Sequence, residues 1–467
     1  MKPLQHQGLA LLLSAACLMG MGIQACKTPE TKTETVLKMD APEWSENAVI
    51  YEINTRQYSE AGTFLAVEKD LNRIKSLGVD ILWFMPIHPI GEKNRKGSLG
   101  SYYSVKDYTA VNPEYGTLED FKRLVRVAHD KGMKVILDWV PNHSSWDNAW
   151  IEAHDDWYAH DSLGNKISPW DWTDVAKFNY DNPNMREAMI QAMEFWVRHC
   201  DVDGYRCDVA FMVPVDFWNQ ASKRLHAIKN VFLLAEAETQ TETNPNFNEY
   251  WDTAFHANYG WTFHALTHDI AQGKKPYGDL RKYIEDKSMS ESVYRMYFLT
   301  NHDENSWNGT IEEKYGPAWR PYSVLCYTLP QSLPLIYNGQ EAGLKKRLAF
   351  FEKDPIDCWA DTSEYAWYRQ LNALKHSSKA LASGNRGGRF QWLGSDPESP
   401  VIAFVRYNSS EKIITLVNLS KENQSLKDLG WAPGEKSQNY LGNAQYDASA
   451  ETWSLPAYGY QIFRESL

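Results

Sequence analysis

The chain has 467 residues, 43% of them apolar, and a formal net charge of −12. This length allows two or three domains with large cores, so the fold needs no disulfide or metal to hold it together. The acidic balance excludes a broad nucleic-acid surface, because neutralising phosphates requires a basic footprint.

The first 25 residues are typical of an export signal. Lys2 precedes an apolar run from Gly8 to Ile23, which is short for a membrane span. The run ends in IQAC, which resembles a bacterial lipobox. Residues 1–25 are therefore predicted to be a lipoprotein signal peptide, and Cys26 to be the lipidated N-terminus; Cys17 is the weaker alternative.

Residues 26–42 are polar and contain proline, which is typical of a flexible tether. A single lipid chain binds a membrane only marginally, so anchoring requires the multiple acylation that this class of signal implies. Lys27 stands where an Asp often retains lipoproteins at an inner membrane, which favours the outer membrane. The later cysteines lack metal-site spacing and are predicted to be buried thiols, namely Cys200, Cys207, Cys326 and Cys358.

From residue 43 to residue 384, strand-like apolar runs alternate with helical patterns, as in a parallel sheet built from βα units. In one unit, Thr117 and Asp120 form a capping-box pattern ahead of a predicted helix, and Met133–Trp139 follows as a buried strand. The strand candidates are AVIYEIN, VDILWFMP, MKVILDW, VDGYRCDV, VFLLAEAE, TAFHAN, YRMYFLTN and PLIYNG. They predict a TIM (β/α)8 barrel, with a doubly wound open sheet as the alternative.

Two further segments interrupt or follow this pattern. Residues 144–177, directly after the third strand, are too long and too rich in Trp for a plain connection, so they are predicted to form an inserted domain beside the barrel mouth. Residues 385–467 change to short strands and turns, which predicts a C-terminal antiparallel β-sandwich.

Polar residues follow several of the predicted barrel strands, where the catalytic groups of TIM barrels lie. Taken singly, each could be a helix cap or a structural ion-pair partner. Together, carboxylates around one mouth repel each other unless a ligand or a reaction uses them. Metal binding is a competing use, but the ligand spacing of known metal sites is absent from the sequence. The residues are Asp138, Asn142, His143, Arg206, Asp208, Glu236, His302 and Asp303.

These residues lie in stretches that resemble the signature motifs of the α-amylase family, glycoside hydrolase family 13. The stretches are DWVPNH, GYRCD, LLAEAE and TNHDENSW, in the family's order. YYSVKDY, FNYDNP and LPLIYNGQEAG resemble further family stretches, so the similarity covers nearly everything after residue 42. The resemblance implies that residues 144–177 are the family's domain B and that the C-terminal strands are its domain C.

The resemblance also implies a retaining mechanism on α-glucosidic bonds, which needs two carboxyl groups about 5 to 5.5 Å apart. Asp208 is then the nucleophile, Glu236 the acid and base, and Asp303 the stabiliser of the transition state. The resemblance further implies that Tyr103, His143, Arg206 and His302 bind the substrate. Arg206 and Asp208 project from one face of their strand, so the guanidinium is expected to keep Asp208 ionised.

Three assignments carry alternatives. Glu238 competes with Glu236 as the acid, although the family match selects Glu236. Asp138 is expected to support Arg206 rather than to react. Asn142 aligns with a calcium ligand of many family members, so a structural calcium ion is possible, while the chemistry itself needs no cofactor.

The substrate is less well determined than the reaction. Many α-amylases carry Lys-His where this chain has Phe211 and Met212, and Val209 occurs in members of both α-1,4 and α-1,6 specificity. We expect hydrolysis of α-1,4 bonds in starch-derived or malto-oligosaccharides. The alternatives are an α-1,6-glucosidase, a transglycosylase of the same family and a non-catalytic glucan-binding surface protein.

Overall fold

In a computed structural model of the chain, the residues described are 40–238, 250–360, 362–394 and 396–467. The predicted signal peptide, Cys26 and most of the predicted tether lie outside them. No helix in the described ranges has the length and apolar character needed to cross a membrane. The helices are α1 Phe64–Leu77, α2 Leu118–Asp130, α3 Ala149–Ala153, α4 Pro183–Cys200, α5 Val215–His226, α6 Trp261–Ala271, α7 Gly278–Glu285, α8 Ile311–Tyr315, α9 Trp319–Thr328 and α10 Ser363–Ser377.

Eighteen strands are described, and eight of them close into a parallel barrel in the order β1-β10-β9-β8-β7-β6-β3-β2. The predicted TIM barrel is confirmed, and its closure excludes the open sheet. The strands of the barrel and its insertion are β1 Ile50–Ile53, β2 Ile81–Phe84, β3 Lys134–Trp139, β4 His143–Ser145, β5 Val175–Lys177, β6 Gly204–Cys207, β7 Phe232–Ala235, β8 Ala257–Tyr259, β9 Tyr294–Tyr297 and β10 Ser332–Tyr337.

The predicted capping box is present at α2, where Thr117 accepts the backbone N–H of Asp120 and the Asp120 carboxylate accepts the N–H of Thr117. Helices such as α2 bury one apolar face on the outside of the barrel, while a separate apolar cluster that includes Ile50, Trp83 and Met296 fills its interior. The barrel is therefore a packed core, and only its ends are open to ligands.

Gly204 begins β6 with φ +154°, a backbone conformation that favours glycine. A Cβ at this position would lie 1.8 Å from the carbonyl oxygen of Phe232 in the neighbouring strand. Glycine therefore allows β6 to approach β7 closely, which brings the ends of the two strands together.

The inserted segment leaves the barrel through an antiparallel pair. β4 pairs with β5, with His143 opposite Lys177 and Ser145 opposite Val175. This pairing brings the two ends of the inserted segment together, so the Trp-rich residues between them form one unit beside the end of β3.

The C-terminal strands form two antiparallel sheets, ordered β11-β12-β13-β18-β15 and β14-β17-β16. Apolar residues of both sheets, such as Phe463 and Trp453, share one core cluster, as in the predicted sandwich. Cys200, Cys207 and Cys326 are buried as predicted, but the prediction was wrong for Cys358, which is only partly buried because it lies at the edge of a small cluster. The strands are β11 Arg389–Trp392, β12 Val401–Tyr407, β13 Glu411–Asn418, β14 Gln424–Lys427, β15 Ser437–Gly442, β16 Gln445–Asp447, β17 Thr452–Leu455 and β18 Tyr460–Ser466.

Candidate active site

The polar residues singled out in the sequence lie at one end of the barrel. Asp138 is in the last part of β3, Asp208 directly follows β6, and Glu236 directly follows β7. Asp303 follows β9 after a short connection. Because parallel strands of a closed barrel end at the same rim, the four carboxylates converge there.

The guanidinium of Arg206, which is fully buried, joins three of these carboxylates. Its Nη1 lies 2.8 Å from Asp138 Oδ1 and 3.0 Å from Asp208 Oδ1. Its Nη2 lies 2.7 Å from Glu236 Oε2. The expected support of Arg206 by Asp138 is thus present in the structure, and the same cation also reaches both proposed catalytic carboxylates.

Aromatic groups enclose the same guanidinium. Its Nε donates a hydrogen bond of 2.9 Å to the hydroxyl of Tyr259. Its central carbon lies 5.3 Å from the ring centroids of Trp83 and Tyr259 and 5.8 Å from that of Tyr103, within the range of cation–π attraction. These contacts fix the position of Arg206 and exclude water from its surroundings.

Burial raises the pKa of Asp208 well above its usual range. Arg206 lowers the pKa of Asp208, but neighbouring carboxylates raise it, namely those of Glu236, Asp138 and Asp303. The expectation that Arg206 keeps Asp208 ionised is therefore not supported by the free structure, because burial and three carboxylates outweigh the one guanidinium.

Val209, the residue after Asp208, has a left-handed backbone conformation with φ +36°, which is strained for a β-branched side chain. In this conformation its N–H donates a hydrogen bond of 2.8 Å to Glu236 Oε2. Arg206 approaches the same oxygen. Because Oε2 accepts the Val209 N–H and lies beside the guanidinium, Oε1 is the oxygen available to a ligand.

The carboxylates of Asp208, Glu236 and Asp303 line a cavity of about 400 Å³. One wall comes from the insertion and includes Trp172, whose ring lies 5.4 Å from that of His143. Trp307 lines the cavity with 51% of its surface exposed, and Trp170, 61% exposed, packs on the cavity residue Trp172. The cavity is lined by Lys96, Ser101, Tyr103, His143, Asp171, Trp172, Asp174, Val175, Asp208, Val209, Glu236, Asp303, Trp307, Phe350 and Phe351.

The predicted substrate-binding residues divide into two groups. Tyr103 and His143 line the cavity, and burial lowers the pKa of His143 to about 3, so its imidazole is neutral. Arg206 and His302 are buried behind the carboxylates and do not line it. Direct binding of substrate by these four side chains stays a prediction.

A family model for the alpha-amylase catalytic domain matches residues 46–367, well over half of the chain. The chain belongs to the alpha-amylase family. An α-amylase from Lactobacillus plantarum has a solved structure that is 32% identical, with a TM-score of 0.79 over 90% of this chain and 99% of that one. A noncanonic maltogenic α-amylase, AmyB from Thermotoga neapolitana, is 29% identical, with a TM-score of 0.74 over 90% and 96% of the two chains.

The α-amylase MalA of Haloarcula japonica is 28% identical over 403 residues. The match covers 82% of this chain and 57% of that relative. The chain therefore spans little more than half the length of this curated family member.

The structure distinguishes the two candidate acids in the family's Glu-bearing stretch. Glu236 lines the cavity, whereas Glu238 accepts a hydrogen bond from the N–H of Thr262 at the start of α6 and one of 3.2 Å from the hydroxyl of Tyr283. Glu238 thus acts as a cap for a helix. Its position agrees with the choice of Glu236 made from the family motif.

Several residues of the site were not found from the sequence. Glu52, in β1, is a carboxylate inside an otherwise apolar strand, and this exception was the available signal. Trp172 lies in the segment predicted to flank the barrel mouth and Trp307 ends the TNHDENSW stretch, but neither was singled out as a cavity wall. Phe350 lies in the connection after β10, where no quoted motif marks it.

A calcium site at Asn142 gains no support from the described side chains. The Asn142 amide is buried, and its Nδ2 lies 3.1 Å from His143 Nδ1. No group of three His, Cys, Asp or Glu residues in the described ranges is arranged to hold a metal ion. The described His, Cys, Asp and Glu side chains therefore supply no ligand cluster at Asn142, and we derive no step through a metal.

Asp208→Asn is expected to raise the melting temperature while abolishing activity. A carboxyl group with a raised folded pKa contributes stability below the ordinary Asp pKa of about 4, and this contribution is lost as the pH rises through the folded pKa. At pH 7 the amide removes that cost, a gain of at least about 1 kcal/mol in the free energy of unfolding. Calorimetry at pH 7 and pH 4 measures the gain, which should shrink at pH 4. A lower melting temperature of the variant at pH 7 would contradict this electrostatic balance.

Proposed function

We propose that the chain is a retaining glycoside hydrolase that cleaves α-glucosidic bonds, chiefly α-1,4 bonds of starch-derived or malto-oligosaccharides. The observation that carries the proposal is the meeting of Asp208, Glu236 and Asp303 in one cavity, with Arg206 behind the first two. Two carboxyl groups on one sugar, one ionised and one protonated, are the requirement of the retaining reaction.

In the first step, a carboxylate oxygen of Asp208 forms a bond to the anomeric carbon. The glycosidic bond breaks, and the leaving oxygen takes the proton from Glu236 Oε1. In the second step, Glu236 removes a proton from water, whose oxygen attacks the same carbon and releases Asp208. The steps balance without a cofactor, and water and substrate are the only reactants.

Asp303 stabilises the transition states of these two steps. It lines the cavity, and 37% of its side-chain surface is exposed to it. Hydrogen bonds from sugar hydroxyls to this carboxylate strengthen as positive charge develops on the sugar. Tyr103 offers a ring on which the same sugar can stack.

The shape of the cavity supports an oligosaccharide as substrate. Trp170 packs edge-on against Trp172, with ring centroids 4.7 Å apart, and lies nearly parallel to Phe211 at 6.3 Å. Trp307 packs against Phe350 at 5.2 Å on another part of the rim. Indoles held by neighbouring rings but exposed to solvent are suited to the apolar faces of further sugars. The maltogenic relative of Thermotoga neapolitana supports the α-1,4 preference.

Asp208→Ala and Glu236→Gln test the chemistry. The Ala variant should lose nearly all hydrolysis of both maltoheptaose and 4-nitrophenyl α-glucoside, because each needs the nucleophile. The Gln variant should lose about 10² to 10⁴ in kcat on maltoheptaose and less on the nitrophenyl substrate, whose leaving group needs little protonation. Proton NMR of the first product released should show the α-anomer.

Glu238→Gln is the matched control, since this carboxylate lies two residues from Glu236 and contacts α6 instead of the cavity. It should keep near wild-type rates. Wild-type rates in the purified Asp208→Ala variant would refute the proposed mechanism.

The products from maltoheptaose, pullulan and isomaltose test the linkage. We expect maltoheptaose to be cleaved to short maltosaccharides, and pullulan to be cut at α-1,4 bonds if at all. Chromatography of early products separates the outcomes. Activity on isomaltose alone would overturn the α-1,4 preference, and products longer than the substrate would indicate transglycosylation.

We also propose that Cys26 is lipidated and anchors the enzyme to the outer membrane, where it faces glucans outside the cytoplasm. The lipobox-like IQAC and the polar residues after it support this proposal. A structural calcium ion near Asn142 remains a weaker proposal, supported by the family resemblance alone.

Expression of the full chain with a radiolabelled fatty acid tests the anchor. Label should enter the wild-type protein and its Cys17→Ala variant, whereas Cys26→Ala should remain unlabelled, because only the lipobox cysteine is acylated. Membrane fractionation then locates the labelled protein. Label retained in the Cys26→Ala variant would exclude this anchor.

A further inference from the structure

A buried carboxylate and imidazole lie behind the catalytic acids. Glu52 in β1 is fully buried, and its Oε1 accepts a hydrogen bond of 2.5 Å from Nδ1 of His302. Its other oxygen has no hydrogen-bond partner within the described part of the chain. Burying a half-satisfied carboxylate costs stability, so packing does not explain Glu52.

With Glu52 and Asp138 ionised, the hydrogen bonds around His302 require a doubly protonated ring. Nδ1 donates to Glu52, while Nε2 lies 2.7 Å from the hydroxyl oxygen of Tyr103. That hydroxyl also lies 3.1 Å from Asp138 Oδ2. A tyrosine has one hydroxyl proton. If it were donated to Nε2, the contact with Asp138 would lack a proton, whereas an imidazolium donates to Tyr103 and leaves Tyr103 to donate to Asp138.

The electrostatic surroundings agree with this protonation. Burial lowers the pKa of His302, but Asp303 and Glu52 outweigh burial and raise the pKa to about 9. The ring edge of Trp83, 5.9 Å away and nearly perpendicular, keeps the imidazole in place. Nε2 also lies 3.4 Å from Asp303 Oδ2, so the cation is next to a catalytic carboxylate.

We propose that Glu52 is a positioning residue that holds His302 as an imidazolium, and that this cation orients Tyr103 and keeps Asp303 ionised at the cavity. The inference rests on the proposed function and extends it to the first barrel strand. Glu52 touches no substrate in this account. It acts through His302, which contacts both Glu52 and Asp303, the residue proposed to stabilise the transition state.

Other charged and titratable groups face the pair from neighbouring strands and connections, and the test must separate their effects from that of Glu52. Burial raises the pKa of Glu52, His302 and Arg206 lower it, and Asp138 raises it. Arg206 also lowers the pKa of His302, and His302 lowers that of Asp138. The remaining facing groups are Tyr103, Glu236, Tyr259, Asp303 and Tyr337.

Glu52→Gln keeps an acceptor for the Nδ1 proton and removes the charge. We expect kcat to fall by about tenfold or more, because Asp303 loses its cationic partner. The basic limb of the kcat pH profile should move to lower pH by about one unit or more, because His302 then loses its proton more readily. KM should change less than kcat, since Glu52 does not contact the substrate.

Glu341→Gln is the matched control. Glu341 is equally buried but binds the hydroxyl of Tyr51 and the guanidinium of Arg73, away from the cavity. It should lower the melting temperature and leave the pH profile in place. If Glu52→Gln behaves in the same way, Glu52 is only structural and the proposal is overturned.

Nitrogen NMR of the histidine rings gives a readout that needs no activity. The signal missing from a His302→Gln variant should titrate near pH 9 in the wild type and at lower pH in Glu52→Gln. A neutral His302 at pH 7 in the wild type overturns the proposal even if the Glu52 variant fails to fold. A wild-type protein with the expected titration but without glycosidase activity would refute the proposed function instead.

Discussion

The site depends on the ion pairs that the buried guanidinium of Arg206 forms with three carboxylates. The guanidinium contacts Asp138 in β3, Asp208 at the end of β6 and Glu236 at the end of β7. A closed parallel barrel brings these strand ends to one rim, where carboxylates repel each other. The Arg206 guanidinium among the three makes the arrangement possible, and removing it would leave uncompensated charge in a buried place.

The charge balance of this region favours the transition state over the resting enzyme. Burial raises the pKa of Asp208 and Asp303, and the neighbouring carboxylates act in the same direction. The excess of negative charge therefore destabilises the fold. The sugar acquires positive charge as the glycosidic bond breaks, so the same excess stabilises the reacting substrate. The strained backbone at Val209 belongs to the same pattern, since it directs an N–H at Glu236 at a local energetic cost.

The barrel, and the meeting of Asp208, Glu236 and Asp303 in one cavity, were predictable because their signals are local. Alternating strands and helices identify the fold, and a carboxylate directly after an apolar strand identifies a rim position. Glu52 was not predicted, because a single acid in a strand gives the same sequence pattern whether it is structural or hydrogen-bonded to an active-site residue such as His302. Strands β14 to β16 were not predicted, since they are short, partly exposed and largely polar, and β14 and β15 pair with strands far along the chain.

Chemistry and substrate choice come from different parts of this fold. The reacting carboxylates follow barrel strands, whose ladder hydrogen bonds fix them, whereas the cavity walls come from the connections after β2, β3, β9 and β10. Trp170, in the insertion, and Phe211, which follows β6, pack together with ring centroids 6.3 Å apart. Changes in these connections can alter which sugars fit while the acids stay in place. The carboxylates that carry the reaction therefore hold little information about the walls that surround the sugars.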